Sequence, residues 1–423
     1  MDSTDHTREK RLAKSDIVAG LDIGTTKICC VVAELGESGE VIVSGIGVSP
    51  SHGIMSGVVV DIETTSRAIE EAVEKASRQS GQHIGSVYVG VTGKHIASLN
   101  SPGVTAITHS DREINEDDVE RVHEQARVIV IPPDREILAA IPRTYSIDGQ
   151  SGIKHPVGMS GSRLEVEMHI ITAARTFLDN VRKCVNNAGL EIDDMVLESQ
   201  ATAETVLLPA EKNLGACLVD IGGGTSDIAI FKDGEIYYSR AIDIAGERVT
   251  QDMAYGLQVT ADIAEDLKIK YGCTDVDSVS ETETVPVIQI GKDEPRQLPR
   301  RILSVMIEPR MEELFEYVLK EIEKSGCKGQ MPAGMVLSGG GSQLPGTLEL
   351  ASRVLGMPVR QGKPTGISGL SDVVNSPIYS TAVGLVQYGV RKQLSNSRDN
   401  AGYGLWETIK RWYTRLFNKM RTG

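Results

Sequence analysis

The stretch Asp220-Ile-Gly-Gly-Gly-Thr-Ser-Asp227 combines the residue types that hold a phosphate and a cation. Gly222, Gly223 and Gly224 can bring backbone N–H groups close to an anion without Cβ obstruction, and Thr225 and Ser226 add hydroxyl donors. Asp220 ends the apolar run Ala216-Cys-Leu-Val219, where a carboxylate can hold a divalent ion through oxygen ligands and water. Alone, the stretch could equally be a hairpin whose only task is a tight turn. A second copy adds weight: Asp22-Ile-Gly-Thr-Thr-Lys27 lies between Ile17–Leu21 and Ile28–Ala33, and supplies Asp22 for a cation and Gly24, Thr25, Thr26 and Lys27 for phosphate. Two such hairpins roughly two hundred residues apart indicate two related lobes facing the same phosphates.

Composition narrows the class. A chain of 423 residues with 40% apolar and 24% charged content has room for two to four compact units of an ordinary globular protein. The six cysteines sit mostly in apolar runs without C-x-x-C spacing, which reads as reduced core thiols of a cytosolic protein. The eight histidines are scattered without a second ligand at metal spacing, so zinc is not expected. Residues 1–16 mix both charges without an apolar core, unlike a signal peptide, and no run is long and apolar enough to span a membrane. The net charge is −14, yet residues 403–423 carry five basic residues against Glu407, a net of +4, which leaves −18 on the rest. An acidic body argues against nucleic acid, and a basic tail argues for one local anionic partner.

The elements that must position the hairpins are legible from periodicity. Val41–Val48 continues a β-type pattern, Asp61 reads as a helix N-cap, and Ala68, Ile69, Ala72, Val73 and Ala76 repeat at helical spacing before Gly81. Strands with a covering helix indicate a layered α/β lobe. Residues 86–165 break this rhythm. They read as strand Ser86–Val91, a helix from Asn115 to Ile129 with an Asn115/Asp118 capping pattern, an extended run Glu136–Ile147, and a Pro/Gly-rich turn that feeds strand Leu164–Thr172. This is a small inserted strand-helix-strand-strand domain. Helices are expected from Glu247 to Gly256 and from Asp262 to Lys270, and a long one from Ile302 to Lys324 that Pro309 should bend or interrupt. A third glycine loop, Ser338-Gly-Gly-Gly-Ser-Gln-Leu-Pro-Gly346, opens a helix from Thr347 to Leu355.

Three glycine turns in this order resemble the actin, Hsp70 and sugar-kinase ATPase superfamily. The resemblance implies a two-lobed α/β actin-like ATPase fold whose hairpins clamp the phosphates of ATP in an interdomain cleft, with Asp22 and Asp220 holding Mg2+ largely through water. It implies that Gln200 faces the γ-phosphate and, with Asp220, positions water. It places Glu265 and Lys268 at the ribose hydroxyls, and Gly246, Gly339, Gly340, Gly341 and Ser342 against adenosine. A polar residue on the exposed side of a short helix and a surface ion pair are the other readings of Gln200 and of Glu265/Lys268. The superfamily usually has two glycines where this chain has Ala245-Gly246. Pro377–Leu385 resembles its second interlobe helix, with Ala382 and Gly384 small enough for close packing.

The position of the insertion, and the residues Pro156, Gly158, Met159, Gly161, Arg163, Leu164 and Glu165 in its turn, resemble the FtsA family of bacterial cell-division proteins. The division expected is an extension at 1–16, a first-lobe core of 17–85, 166–209 and 375–395, an inserted domain at 86–165, a second-lobe core of 210–246 and 330–374, an outer subdomain at 247–329, a linker at 396–404 and a terminal amphipathic helix at 405–421. In that helix Leu405, Trp406, Ile409, Trp412, Tyr413, Leu416, Phe417 and Met420 fall at helical spacings, flanked by Lys410, Arg411, Arg415 and Lys419. It is too short and too charged to cross a bilayer, and reads as a membrane-surface helix, with docking on the body or a partner as the rival.

The family resemblance implies an ATP-binding protein that polymerises into actin-like protofilaments, binds the C-terminal peptide of FtsZ, recruits later division proteins and works on the inner face of the cytoplasmic membrane at the division site. Anionic lipids would be the tail's partner. Arg300 and Arg301, in the basic run 296–301, are the candidate contact for the FtsZ peptide. An FtsA-like pilus-assembly protein, a sugar-kinase-type phosphotransferase and an Hsp70-type chaperone are the alternatives. The tail, the lack of a separate sugar motif and the lack of a long segment after residue 395 respectively tell against them.

Overall fold

The computed structural model describes residues 17–36 and 40–395, so the expected extension, linker and terminal helix lie outside the described residues. Two sheets are built on one plan. In the first lobe the strand order is Glu191–Leu197, Ser86–Val91, Ile17–Ile23, Lys27–Leu35, Val41–Pro50 and Ile367–Gly369. Ile17–Ile23, Lys27–Leu35 and Val41–Pro50 form an antiparallel meander, and Ser86–Val91 and Glu191–Leu197 extend it in parallel. The second lobe repeats this with an antiparallel meander, Ala216–Ile221, Ser226–Lys232 and Glu235–Ile242, continued in parallel by Met335–Ser338 and Val359–Gln361. Ile28 to Ala33 and Ala216 to Ile230 include long apolar stretches because both faces of each sheet are covered.

One face of the first sheet packs on helices Ile62–Ser80 and Arg175–Asn187, and the other on the helix at 380–395. The Ile62–Ser80 helix begins where Asp61 accepts from the Thr64 amide at 3.0 Å, and ends at Gly81, as its sequence requires. In the outer part of the second lobe, helices Gly246–Leu257, Ala261–Tyr271 and Arg301–Lys324 surround a hairpin of Thr284–Val287 with Arg296–Pro299. Arg301–Lys324 runs through Pro309 without interruption. The carbonyl deprived of its partner is that of Val305, a residue 55% exposed, so water can satisfy it.

The inserted domain departs from the expected boundaries. Its sheet has the order Ala97–Ala106, Arg163–Ala174, Arg135–Ile147, Gln150–Ile153, with helix Glu116–Arg127 on one face. Ser86–Val91 belongs to the first-lobe sheet, and Arg163–Ala174 belongs wholly to the insertion. Sheet membership therefore places the insertion at 97–174 rather than 86–165. Ala97–Ala106 escapes a periodicity reading because it is polar and carries Pro102, which an edge strand tolerates.

Two connections join the lobes. Helices Glu198–Val206 and 380–395 cross at a point where a Cβ on Gly384 would lie 1.9 Å from the Ala201 carbonyl oxygen. Farther out, the inserted domain docks on the second lobe's edge strand. Ser98 Oγ donates to the Ser239 carbonyl at 2.8 Å, and His169 links Asn100 Oδ1 at 2.8 Å to Ser239 Oγ at 3.0 Å. The Arg143 guanidinium lies 3.9 Å from the centre of the Tyr237 ring.

Candidate functional site

A cleft of about 550 Å3 lies between the lobes, walled by both Asp-Ile-Gly hairpins, the third glycine loop and the outer subdomain. The hairpins close identically: Gly24 N–H donates to the Lys27 carbonyl at 3.0 Å, and Gly222 N–H to the Thr225 carbonyl at 2.9 Å. They also touch. A Cβ on Gly223 or Gly224 would come within 2.4 Å of Thr26 Cγ2 or Thr25 Oγ1, so a larger residue at either position would force the lobes apart. The carbonyls of Gly222 and Gly223 accept from the amides of Gly246 and Glu247 at 3.1 and 2.7 Å, which starts helix Gly246–Leu257 on the second hairpin.

Charge in the cleft is lopsided. Asp22, Glu198, Asp220 and Asp227 line it together with Lys27, whose Nζ is 3.3 Å from Asp22 Oδ2. Burial disfavours the Lys27 ammonium, but the Asp22 and Asp220 carboxylates outweigh it and raise its pKa. Asp220 accepts from Thr202 Oγ1 at 2.7 Å and from Thr381 Oγ1 at 3.1 Å, one hydroxyl from each crossing helix. Burial still pushes its pKa up to about 6. Asp227 accepts from Thr92 Oγ1 at 2.6 Å across the lobe boundary, and is pushed up to about 7 by burial and by the Asp220 charge. Burial, followed by the fields of Asp22, Asp227 and Asp220, holds Glu198 well above the usual carboxylate range.

Such a wall admits a polyphosphate only together with a cation. No group of three His, Cys, Asp or Glu side chains within metal reach occurs among the described residues. A divalent ion here would therefore complete its shell with water and ligand oxygens, the habit of Mg2+. The donors fit that role: glycine amides free of Cβ, a lysine, and carboxylates including a buried Glu198 Oε1 without a hydrogen-bond partner.

On the other side of the cleft, Lys268 is 7% exposed and donates to the Gly246 carbonyl at 3.0 Å, Thr250 Oγ1 at 2.8 Å and Glu265 Oε2 at 2.6 Å. That is a buried clamp between two helices rather than a surface ion pair. Gly339, Gly340 and Gly341 line the wall opposite, continued by Gln343, Leu344 and Pro345. Ala245 adopts φ −158°, an extended conformation open to any residue, so no second glycine is needed there.

Several expected residues fall elsewhere. Gln200 is not among the cleft-lining residues, whereas Glu198 is. Two residues along a helix turn the side chain by about 200°, and strand Glu191–Leu197 delivers Glu198 to the cleft. Ser342 does not line the cleft because its hydroxyl donates to the Gly339 carbonyl at 2.7 Å. Ser226 likewise gives its hydroxyl to the Ile244 carbonyl at 2.7 Å. Thr92, Thr202, Asp227 and Thr381 were not anticipated. Only Asp227, which ends the glycine motif, carries a signal in the sequence. Arg300 bonds the Tyr271 carbonyl and Glu283, and Arg301 bonds Asp277 and Glu281, so both arginines serve the outer subdomain's own acidic residues.

Twin meanders, facing hairpins and an interlobe cleft define an actin-like protein. The fold is shared with the PilM–PilN type IV pilus biogenesis complex, at TM-score 0.65 and 18% identity over 88% of this chain and 98% of that one. It is also shared with MreB5 of Spiroplasma citri bound to ADP, at 0.54 and 14% over 90% and 98%. Within that class, the model of the cell division protein FtsA matches residues 217–384, and that of the SHS2 domain inserted in FtsA matches 93–172. Cell division protein FtsA of Pseudomonas aeruginosa is 45% identical over 406 residues, covering 94% of this chain and 97% of its own. That of Neisseria meningitidis is 39% identical over 95% and 98%. The chain therefore belongs to the FtsA family of cell division proteins, and the pilus-assembly, sugar-kinase and chaperone alternatives fall away. No helix of the described residues is long and apolar enough to cross a membrane.

Proposed function

We propose that the chain binds ATP with Mg2+ in the interlobe cleft, and that the bound nucleotide sets the lobe arrangement in which it assembles into actin-like protofilaments. The observation that carries this is the pair of hairpins in contact across the cleft, since a polyphosphate between them would join the lobes directly. That a shared fold has been seen with ADP in MreB5 supports the reading. Gly24, Thr25, Thr26 and Lys27 would grip the phosphates from one side, and Gly222 to Thr225 from the other. Mg2+, when bound, would supply charge neutralisation at the phosphates, near Asp22 and Asp220. Glu198, rather than Gln200, is the side chain placed to orient water at the phosphate end. Glu265, held by Lys268, would meet the ribose, with Gly246 and Gly339 to Gly341 against the adenosine. Titration with a fluorescent ATP analogue, with Mg2+ and with EDTA, tests this: Mg2+-independent binding would remove the cation from the account.

The same proposal extends to the membrane and to FtsZ. The tail residues from Leu405 to Met420 would lie on anionic lipid and tether FtsZ filaments to the inner face of the cell membrane, where later division proteins gather. Each basic residue near an anionic surface contributes about 1 kcal/mol, so single tails bind reversibly and a polymer multiplies them. Liposome flotation with ATP compares the full chain with one ending at Asn400, and equal flotation would sink the tail's role. Arg300 and Arg301 are proposed as contacts for the acidic FtsZ peptide. They are already ion-paired, so a peptide carboxylate would have to displace Glu283 or Glu281. Peptide affinity unchanged by reversing both charges would remove them.

A further inference from the structure

Behind the cleft wall lies a second, much smaller chamber of about 10 Å3, enclosed by residues 54–59, the end of strand Ser86–Val91 and helix Arg175–Asn187. Thr92 and Glu198 line both spaces, so the Glu198 side chain forms part of the partition between them. The chamber is otherwise largely apolar, with Ile54, Val59, Val91, Phe177 and Val181 in its wall. Yet two of its lining residues bring buried polar atoms without hydrogen-bond partners: Glu198 through Oε1 and His95 through both ring nitrogens. The His95 ring is stacked on Phe177 at 4.5 Å between centroids with 7° between planes, so its orientation is fixed and only its edge is offered.

We propose that this chamber holds one ordered water that bridges Glu198 Oε1 to a ring nitrogen of His95, and that His95 thereby acts as a positioning residue for the Glu198 carboxyl. Buried polar groups are nearly always satisfied by protein or by ordered water. Three unsatisfied atoms beside one small void is the pattern such a water resolves. The void is about one probe sphere, the least that accommodates a water, and a water supplies two donors and two lone pairs. Burial, assisted by the Arg135 charge, holds the His95 pKa down to about 4, so the ring is neutral at pH 7. A neutral ring offers one N–H and one lone pair, either of which a water can meet. Glu198 is 8% exposed and has no protein group to hold Oε1, so without the water its carboxyl would be free to turn.

The functional consequence rests on the nucleotide reading above, but the water does not. The test is a set of high-resolution crystal structures of the nucleotide-free protein, as wild type, His95→Phe and His95→Gln, with ATP affinity measured on each. The expected result is a water within hydrogen-bond reach of both Glu198 Oε1 and His95 in the wild type. His95→Phe should lose the water and turn the carboxyl, and His95→Gln, whose amide can meet the same water, should restore both. Affinity for ATP should stay within about threefold throughout, because His95 lies outside the cleft. A dry chamber in the wild type overturns the proposal, as does an unmoved Glu198 in His95→Phe. If His95→Phe does not fold, the wild-type density and the His95→Gln structure decide. Failure of the wild type to bind ATP would overturn the nucleotide reading and leave the water standing.

Discussion

The two Asp-Ile-Gly hairpins share a backbone but not a way of handling their charge. Asp22 has a lysine from its own hairpin, with Lys27 Nζ at 3.3 Å. Asp220 has no such neighbour in its hairpin and depends on Thr202 and Thr381, which stand on the two helices that cross between the lobes. The first hairpin is therefore electrostatically self-contained, and the second is wired to the lobe arrangement. A duplicated turn has kept its hydrogen bonds while its two carboxylates have acquired different dependencies.

The largest test separates the helices that serve Asp220. In Gly384→Val the new Cβ would fall 1.9 Å from the Ala201 carbonyl oxygen, against backbone that cannot yield cheaply. We expect a loss of about 3 kcal/mol or more in denaturant unfolding. Native stability in this variant would mean that the crossing is looser than described and that Asp220 is not held by it.

Next in size is Lys27→Met, which leaves Asp22 beside three other carboxylates. A quarter of the Lys27 side chain is exposed, so the cost should be smaller than for a fully buried pair, about 2 kcal/mol. Asp220→Asn should instead change stability by less than about 1 kcal/mol, because the amide oxygen still accepts both threonine hydroxyls. If the two variants cost the same, the contrast between the hairpins fails.

The smallest effect is in pH. The pKa values of Asp220 and Asp227 are raised, to about 6 and about 7, above their ordinary 3.8. The folded state therefore binds these protons more tightly than the unfolded chain does. Their contribution is fully present below about pH 4 and is lost as pH rises through 6 and 7. Unfolding of the nucleotide-free protein should show wild type losing stability relative to Asp227→Asn between pH 5 and 8, by on the order of 1 kcal/mol or more. A gap that does not move with pH would show that Thr92 alone governs Asp227.

What could be read in advance follows the range of each interaction. The hairpins were legible because their glycines interrupt apolar runs, and the Asp61 and Asn115 caps because a cap acts within three residues. Gln200 and Glu198 could not be distinguished, since the facing of a short helix depends on how the preceding strand delivers it. The threonines at 202 and 381 were invisible for a stronger reason. They meet Asp220 only because two helices from distant parts of the chain cross, 3.0 Å apart at their hydroxyls. Strand Ala97–Ala106 was hidden by its polarity, which suits an edge that leans on the other lobe through Ser98 and Asn100.

That lean changes the mechanics of the molecule. A pair of lobes joined only at crossing helices could open like scissors. Here the insertion fastens the first lobe to the far edge of the second, through His169 and Ser239, well away from the crossing. Two bodies pinned along two separate lines lose the scissor mode and keep only a twist about the line joining the pins. A twist of that kind rotates the ends of the molecule relative to each other, so in a row of such subunits it would accumulate as curvature rather than as length.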